Sequence, residues 1–157
     1  MLRLKKSKMN NEINIYDKDN LPSPDEKQSI SEFLYKELGG YGDPISQIQA
    51  AMDYSLGVDG KPGGFITTMK ENGKLVCSVV VNKTGMGGYI PENILVYIAT
   101  DENQRGKGIG RKVMEKVIER AEGGIALHVE PDNPAKYLYE KLGFTNKYLE
   151  MRYQPKS

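Results

Sequence analysis

The chain has 157 residues, of which 38% are apolar and 27% charged, with a net charge of +1. This composition supports a hydrophobic core, excludes an intrinsically disordered chain, and lacks the basic excess of a general nucleic-acid binder. A single cysteine, Cys77, and a single histidine, His128, rule out an internal disulfide framework and argue against a zinc site, which draws on several nitrogen or sulfur ligands.

No apolar run approaches the roughly 20 residues that span a bilayer. The basic start, Met1 to Asn11, has no apolar stretch of the kind a secretory signal carries. Residues 1–11 are therefore expected to form a disordered tail and 12–157 one domain of a cytoplasmic protein, with neither nucleic acid nor membrane as partner.

In chain order, Glu12 to Tyr16 alternates as a first strand. Ser23-Pro24-Asp25-Glu26 is a capping box with proline at the first helical position. The helix it opens carries Ile30, Phe33, Leu34 and Leu38 on one face and ends at Gly39-Gly40. Asp43-Pro44 is expected to cap a second helix through Ile45, Ile48, Ala51 and Met52. Phe65 to Lys70 and Lys74 to Asn82 then read as a hairpin turned by Asn72-Gly73, because both central residues of a type I′ turn need positive φ.

A glycine-bearing loop from Thr84 to Pro91 leads to Ile94–Thr100, which is apolar on both faces and expected to be a central strand covered on both sides. A third helix from Gly108 or Ile109 to Glu122 has the predicted buried stripe Ile109, Val113, Val117, Ile118 and Ala121. Ile125 to Val129 reads as a strand. Asn133-Pro134 opens a fourth helix that Gly143 stops, and Lys147 to Tyr153 reads as a final strand. The order βααβββαβαβ predicts an α/β (α+β) fold, a mixed sheet with helices packed on it.

Chemistry concentrates in Gln104-Arg105-Gly106-Lys107-Gly108-Ile109-Gly110-Arg111, between the apolar strand and the third helix. Glycines at alternate positions allow backbone N–H groups to approach a ligand closely. The first N–H groups of the helix lack internal partners and lie at its positive dipole end. Such a turn suits phosphate or pyrophosphate, and Arg105, Lys107, Arg111 and Lys112 surround it with positive charge. It lacks the GK[ST] ending of a P-loop and the G-x-G-x-x-G spacing of dinucleotide folds.

Arg105-x-x-Gly108-x-Gly110 resembles the R/Q-x-x-G-x-G/A signature of the Gcn5-related N-acetyltransferase (GNAT) superfamily. Asn133-x-Ala135 followed by Leu138-Tyr139-Glu140-Lys141-Leu142-Gly143-Phe144 is similar to the helix that closes the acyl-CoA site in that family. The likeness is close over Ile94 to Phe144 and looser over Glu12 to Tyr153. It implies a mostly antiparallel mixed sheet flanked by four helices, with strands four and five splayed to admit pantetheine. It also implies an acetyl-CoA-dependent N-acetyltransferase that uses no metal and acts on a small-molecule or peptide amine. A homodimer is common in the family.

By this resemblance Arg105, Gly106, Lys107, Gly108, Ile109, Gly110 and Arg111 hold the CoA pyrophosphate, mainly through backbone N–H groups. The backbone of Ile98, Ala99 and Thr100 pairs with pantetheine, and Asn133 adds a hydrogen bond to the cofactor besides capping its helix. Tyr139 occupies the family position whose phenol protonates the leaving thiolate, although it also lies on the apolar stripe Ala135, Leu138, Tyr139 and Leu142. An alkylammonium must lose a proton before it attacks. The fourth strand holds no carboxylate, so Glu92 just before it, His128 on the neighbouring strand, and a water chain all remain open as proton acceptors. Cys77 lies in an apolar run with no activating base and reads as core, which favours direct transfer over an acyl-cysteine.

Acceptor walls are expected around Tyr41, Tyr89 and Gly85–Gly88, with Glu37, Asp43, Asp53 and Glu92 able to attract a cation. Two other readings remain: a non-catalytic acyl-CoA-binding or sensing module on the same fold, and a nucleotide-binding protein that shares only the phosphate turn.

Overall fold

A computed structural model describes residues 11–156 of the chain. The expected N-terminal tail, apart from residue 11, lies outside the described residues. The chain divides into two compact units, Met1–Leu127 and His128–Ser157.

The first unit contains β1 (Asn11–Tyr16), α1 (Pro24–Leu38), α2 (Ile45–Ser55), β2 (Gly64–Glu71), β3 (Lys74–Lys83), β4 (Asn93–Thr100), α3 (Ile109–Arg120) and β5 (Ile125–Leu127), with short 3-10 turns at Gly39–Tyr41, Val58–Gly60 and Glu102–Gln104. The five strands form one sheet in sequence order. Strands β1 to β4 are antiparallel neighbours, and β5 lies parallel to β4. The mixed, mostly antiparallel sheet expected from the sequence is present.

Several elements form for the local reasons read in the sequence. Ser23 Oγ accepts the Glu26 N–H at 3.1 Å, and Pro24 opens α1. The reciprocal half of the capping box is not made, because Glu26 Oε2 instead accepts from Lys70 Nζ at 2.7 Å. Asn72 and Gly73 both take positive φ, 51° and 80°, as the type I′ hairpin between β2 and β3 requires.

Ile30 and Leu34 of α1, Ile48 and Met52 of α2, Leu56, and Ile66, Val80, Tyr97 and Ala99 of the sheet form one buried cluster. Each fully buried aliphatic side chain there contributes about 1.5–3 kcal/mol. The amphipathic helix α3 packs on β2, β3 and β4 and buries Ile109, Val113, Met114 and Val117.

The stripe of α3 differs from the one expected. Met114 is buried and Ile118 is 40% exposed, because the spacing i, i+4, i+5, i+8 from Ile109 centres the contact on Met114. Residue 121 lies beyond the helix as its C-cap. The expected two-sided burial of β4 is also incomplete. Asn93, Leu95, Tyr97 and Ala99 are buried, whereas Ile94, Val96, Ile98 and Thr100 are half-buried. Asp43 does not cap α2, whose N-cap is Pro44 with no side-chain bond.

The second unit contains α4 (Ala135–Lys141). Gly143, at φ 97°, ends it. The Phe144 N–H donates to Tyr139 O at 2.9 Å and the Gly143 N–H to Glu140 O at 3.1 Å, the paired bonds of a Schellman cap. The accompanying apolar contact joins the Tyr139 and Phe144 rings, 5.7 Å apart and tilted by 57°. The final strand expected over Lys147–Tyr153 does not form: that segment is without strand structure, and Tyr148, Leu149, Met151 and Tyr153 are exposed. Alternation supplies a strand with a face, but its backbone bonds need a neighbouring strand.

Candidate active site

Two backbone features of the first unit build the site. The first is the open edge of β4. Val81 pairs with Leu95 and Val80 with Tyr97, so Val96 is an extra residue in β4 and makes a β-bulge. The pairing of β4 with β5 stops at Leu95 and Leu127. The bulge thus falls where β5 leaves, and β4 runs on to Thr100 with no strand on that side among the described residues. The Asp101 N–H donates to Val76 O at 2.8 Å. By antiparallel alternation Tyr97 and Ala99 point their N–H and C=O groups at β3, while Ile98 and Thr100 turn theirs to the open edge.

The second feature is the turn from β4 into α3. Gly106 and Gly108 adopt positive φ, 81° and 79°, and a Cβ added at either would meet nothing within 4 Å. The first N–H of α3 to donate within the chain is that of Lys112, to Gly108 O at 3.1 Å, so the N–H groups of Ile109, Gly110 and Arg111 have no intrahelical partner. The first turn of α3 carries no acidic side chain to offset its positive dipole end. Helix-start donors without intrahelical partners, beside glycines with open space before their α-carbons, are the geometry expected of an anion site.

The side chains around this turn are mostly engaged elsewhere. Arg105 Nε donates to Thr100 O at 3.2 Å and Nη2 to Glu37 O at 3.1 Å, with the Glu37 carboxylate 3.6 Å away. Lys107 Nζ donates to Gln104 Oε1 at 3.2 Å, and Arg111 Nε to Glu115 Oε1 at 3.3 Å. The turn therefore offers an anion chiefly main-chain donors.

Glu92 lies just before β4, about 25 Å along the strand from the Thr100 end at the usual rise per residue. Its Oε1 accepts the Gly124 N–H at 2.8 Å. That bond and further backbone donors hold the carboxyl below its ordinary pKa. Glu92 also fills the space against Gly87 and Gly123, where an added Cβ would lie 2.1 Å from Oε1 in the latter case. Cys77 is fully buried, and desolvation pushes its thiol up to about 12, which keeps it protonated at neutral pH.

In the second unit, His128 is exposed and lies outside any strand, since β5 ends one residue earlier than it. Asn133 Oδ1 accepts the Ala135 N–H at 2.9 Å, so Asn133 does secure the start of α4. Tyr139 is 5% exposed.

Two residues with clear roles went unweighed or only half weighed in the sequence. Glu37 carries the Glu102 N–H on Oε2 at 3.0 Å besides its contact with Arg105. Its position offered a signal: an acid in the last turn of a helix opposes the macrodipole and needs a partner elsewhere. Tyr97, with a polar tip inside an apolar strand, donates its hydroxyl to Asp43 Oδ2 at 2.6 Å.

The described residues contain no helix long and apolar enough to cross a membrane and no cluster of His, Cys, Asp and Glu that could hold a metal ion. A bulged, splayed strand running into a glycine turn and an amphipathic helix defines the acyl-CoA N-acyltransferase class of α/β fold. The chain matches the Acetyltransferase (GNAT) family over residues 27–144, and it belongs to that family.

Among solved structures, the aminoglycoside N-acetyltransferase AAC(6′)-Iy in complex with CoA aligns with a TM-score of 0.67 at 13% identity, covering 98% of this chain and 100% of that one. The ribosomal-protein-S18-alanine N-acetyltransferase from Escherichia coli aligns at 0.66 and 18%, covering 94% and 86%. A possible acetyltransferase from Clostridium difficile 630 aligns at 0.64 and 19%, covering 96% and 100%. At these identities the likeness is one of fold. No curated protein sequence matches the chain.

Proposed function

We propose that this chain transfers the acetyl group of acetyl-CoA directly to a primary amine bound alongside it. The observation that carries this reading is the first turn of α3, whose N–H groups from Ile109 to Arg111 have no intrahelical partner, at the positive end of the helix and following the open edge of β4. Those donors fit a diphosphate, and the free space over Gly106 and Gly108 leaves room for its close approach. The neighbouring solved structure with CoA supports the choice of CoA among diphosphates.

Acetyl-CoA supplies an activated thioester as co-substrate. The main chain from Arg105 to Arg111 binds the diphosphate, and the edge groups of Ile98 and Thr100, with Ala99 between them, align the pantetheine arm. An N–H on that edge polarises the thioester carbonyl and offsets charge developing on its oxygen. The amine nitrogen forms the new C–N bond as the C–S bond breaks. Following the family resemblance, the Tyr139 hydroxyl gives its proton to the departing sulfur and Asn133 hydrogen-bonds the cofactor. The amine's proton passes to Glu92, to His128 or to water. The buried, protonated Cys77 supports direct transfer over a covalent acyl-enzyme.

The test is release of free thiol from acetyl-CoA across a panel of primary amines, with the acetylated product identified by mass. CoA is expected to raise the melting temperature where ATP and NAD do not. Binding of CoA with no release on any amine would leave a sensing module, and protection by ATP or NAD would leave a nucleotide binder.

A further inference from the structure

The sequence offers Glu37, Asp43, Asp53 and Glu92 as carboxylates able to attract a cation, and the structure commits three of them elsewhere. Glu37 holds the Glu102 N–H and Arg105. Asp53 is paired with Lys27 at 2.5 Å. Glu92 makes no ion pair among the described residues, but it is bonded to the Gly124 N–H at the end of β4 away from the glycine turn. Asp43 makes no ion pair among the described residues.

Asp43 is instead held by a neutral donor. The Tyr97 hydroxyl meets Oδ2 at 2.6 Å, and Tyr97 is 8% exposed within the core cluster that α1 and α2 share with the sheet. Burial, followed by the bond to Asp43, raises the phenol's pKa, so it keeps its proton and donates. The hydrogen bond fixes the carboxylate without neutralising it.

Asp43 lines an open hollow of about 500 Å³ together with Tyr35, Lys36, Gly39, Gly42 and Pro44. Tyr35 is 54% exposed, and an aromatic ring in the lining can pack against an alkyl chain or a cation. The Lys36 ammonium lies 3.9 Å from Glu37. Tyr97 stands one residue past the bulge at Val96, so a single side chain links the carboxylate to the open stretch of β4.

We infer that Asp43, positioned by Tyr97, receives a positive charge on the acceptor away from the reacting nitrogen, so that the protein favours amines bearing a second cationic group. This inference rests on the acetyl-transfer reading above and deepens it by naming a substrate class. A fixed carboxylate in a hollow attracts such a group more strongly than a mobile surface acid, because less side-chain freedom is lost when the ion pair forms.

The test compares 1,4-diaminobutane with butylamine, which share a chain length and differ by one charge. Binding of each to the full chain with CoA is measured by calorimetry. The unaltered protein is expected to bind the diamine about tenfold more tightly, and Asp43→Asn to erase that preference while leaving butylamine and CoA binding alone. Tyr97→Phe, which preserves the ring in the core, is expected to reduce the preference about threefold with CoA affinity intact. Undetectable diamine binding, no preference in the unaltered protein, or a preference that survives Asp43→Asn overturns the inference. Acetyl transfer to the same two amines, followed in parallel, separates the two readings. A charge preference in binding without transfer rejects acetyl transfer alone, and transfer without charge preference rejects the Asp43 site alone.

Discussion

The guanidinium of Arg105 reaches back to the end of α1, where its Nη2 donates to the main-chain oxygen of Glu37 at 3.1 Å. That oxygen belongs to the last turn of the helix, whose carbonyls lack intrahelical partners and form its negative end. Arg105 thereby caps α1 and anchors the start of the glycine turn, and the nearly buried Glu37 carboxylate adds a second tie through the Glu102 N–H.

Glu37→Ala is expected to lower stability by about 1–2 kcal/mol, the usual cost of leaving a bonded group without its partner. CoA affinity is expected to fall several-fold as the turn loosens. Glu37→Gln keeps an acceptor for the Glu102 N–H and should recover most of the stability. Thermal unfolding with CoA titration checks both; equal CoA affinity in all three proteins would detach Glu37 from the turn.

Gly108 sits at φ 79° with open space before its α-carbon. Gly108→Ala is expected to cost about 1–2 kcal/mol, because L residues are strained in the left-handed region. Gly108→Glu adds a carboxylate where the diphosphate is proposed to lie and should abolish CoA binding. Calorimetric CoA titration of the folded variants is the check.

Tyr139 has a packing role, seen in its contact with Phe144, and a proposed chemical one. Tyr139→Phe preserves the ring and should lower turnover while largely sparing CoA affinity. Tyr139→Ala should destabilise the protein by about 3–5 kcal/mol, as large-to-small changes at buried aromatics do. Unchanged turnover in the phenylalanine variant, measured by thiol release at saturating CoA, would leave the residue with packing alone.

Backbone donors, first the Gly124 N–H, lower the pKa of Glu92 from 4.5. A carboxyl whose folded pKa is depressed stabilises the fold above its unfolded value, and that stabilisation is lost as pH falls through the folded one. Glu92→Gln is therefore expected to melt below the unaltered protein at neutral pH, with the gap closing as pH falls below 4.5. Melting curves across that range decide it, and a gap independent of pH would mean that the charge on Glu92 contributes nothing.

Much of this protein is determined over short stretches of chain. The Ser23 cap, the Asn72-Gly73 hairpin, the glycine turn into α3 and the Schellman cap at Gly143 each depend on φ values and backbone donors within a few residues, so local sequence suffices to read them. Even the helix-start donors proposed to hold an anion are readable from the glycines and the start of α3.

Other features required the folded chain. The direction of Arg105 depends on a carbonyl 68 residues away, and the pairing of Tyr97 with Asp43 spans 54. Which carboxylate the Tyr97 hydroxyl holds, where β4 bulges and parts from β5, and whether Lys147–Tyr153 finds a strand to join are settled by packing and register. Side-chain pairing at such separations carries no local signature, because it is chosen by the core that brings the elements together.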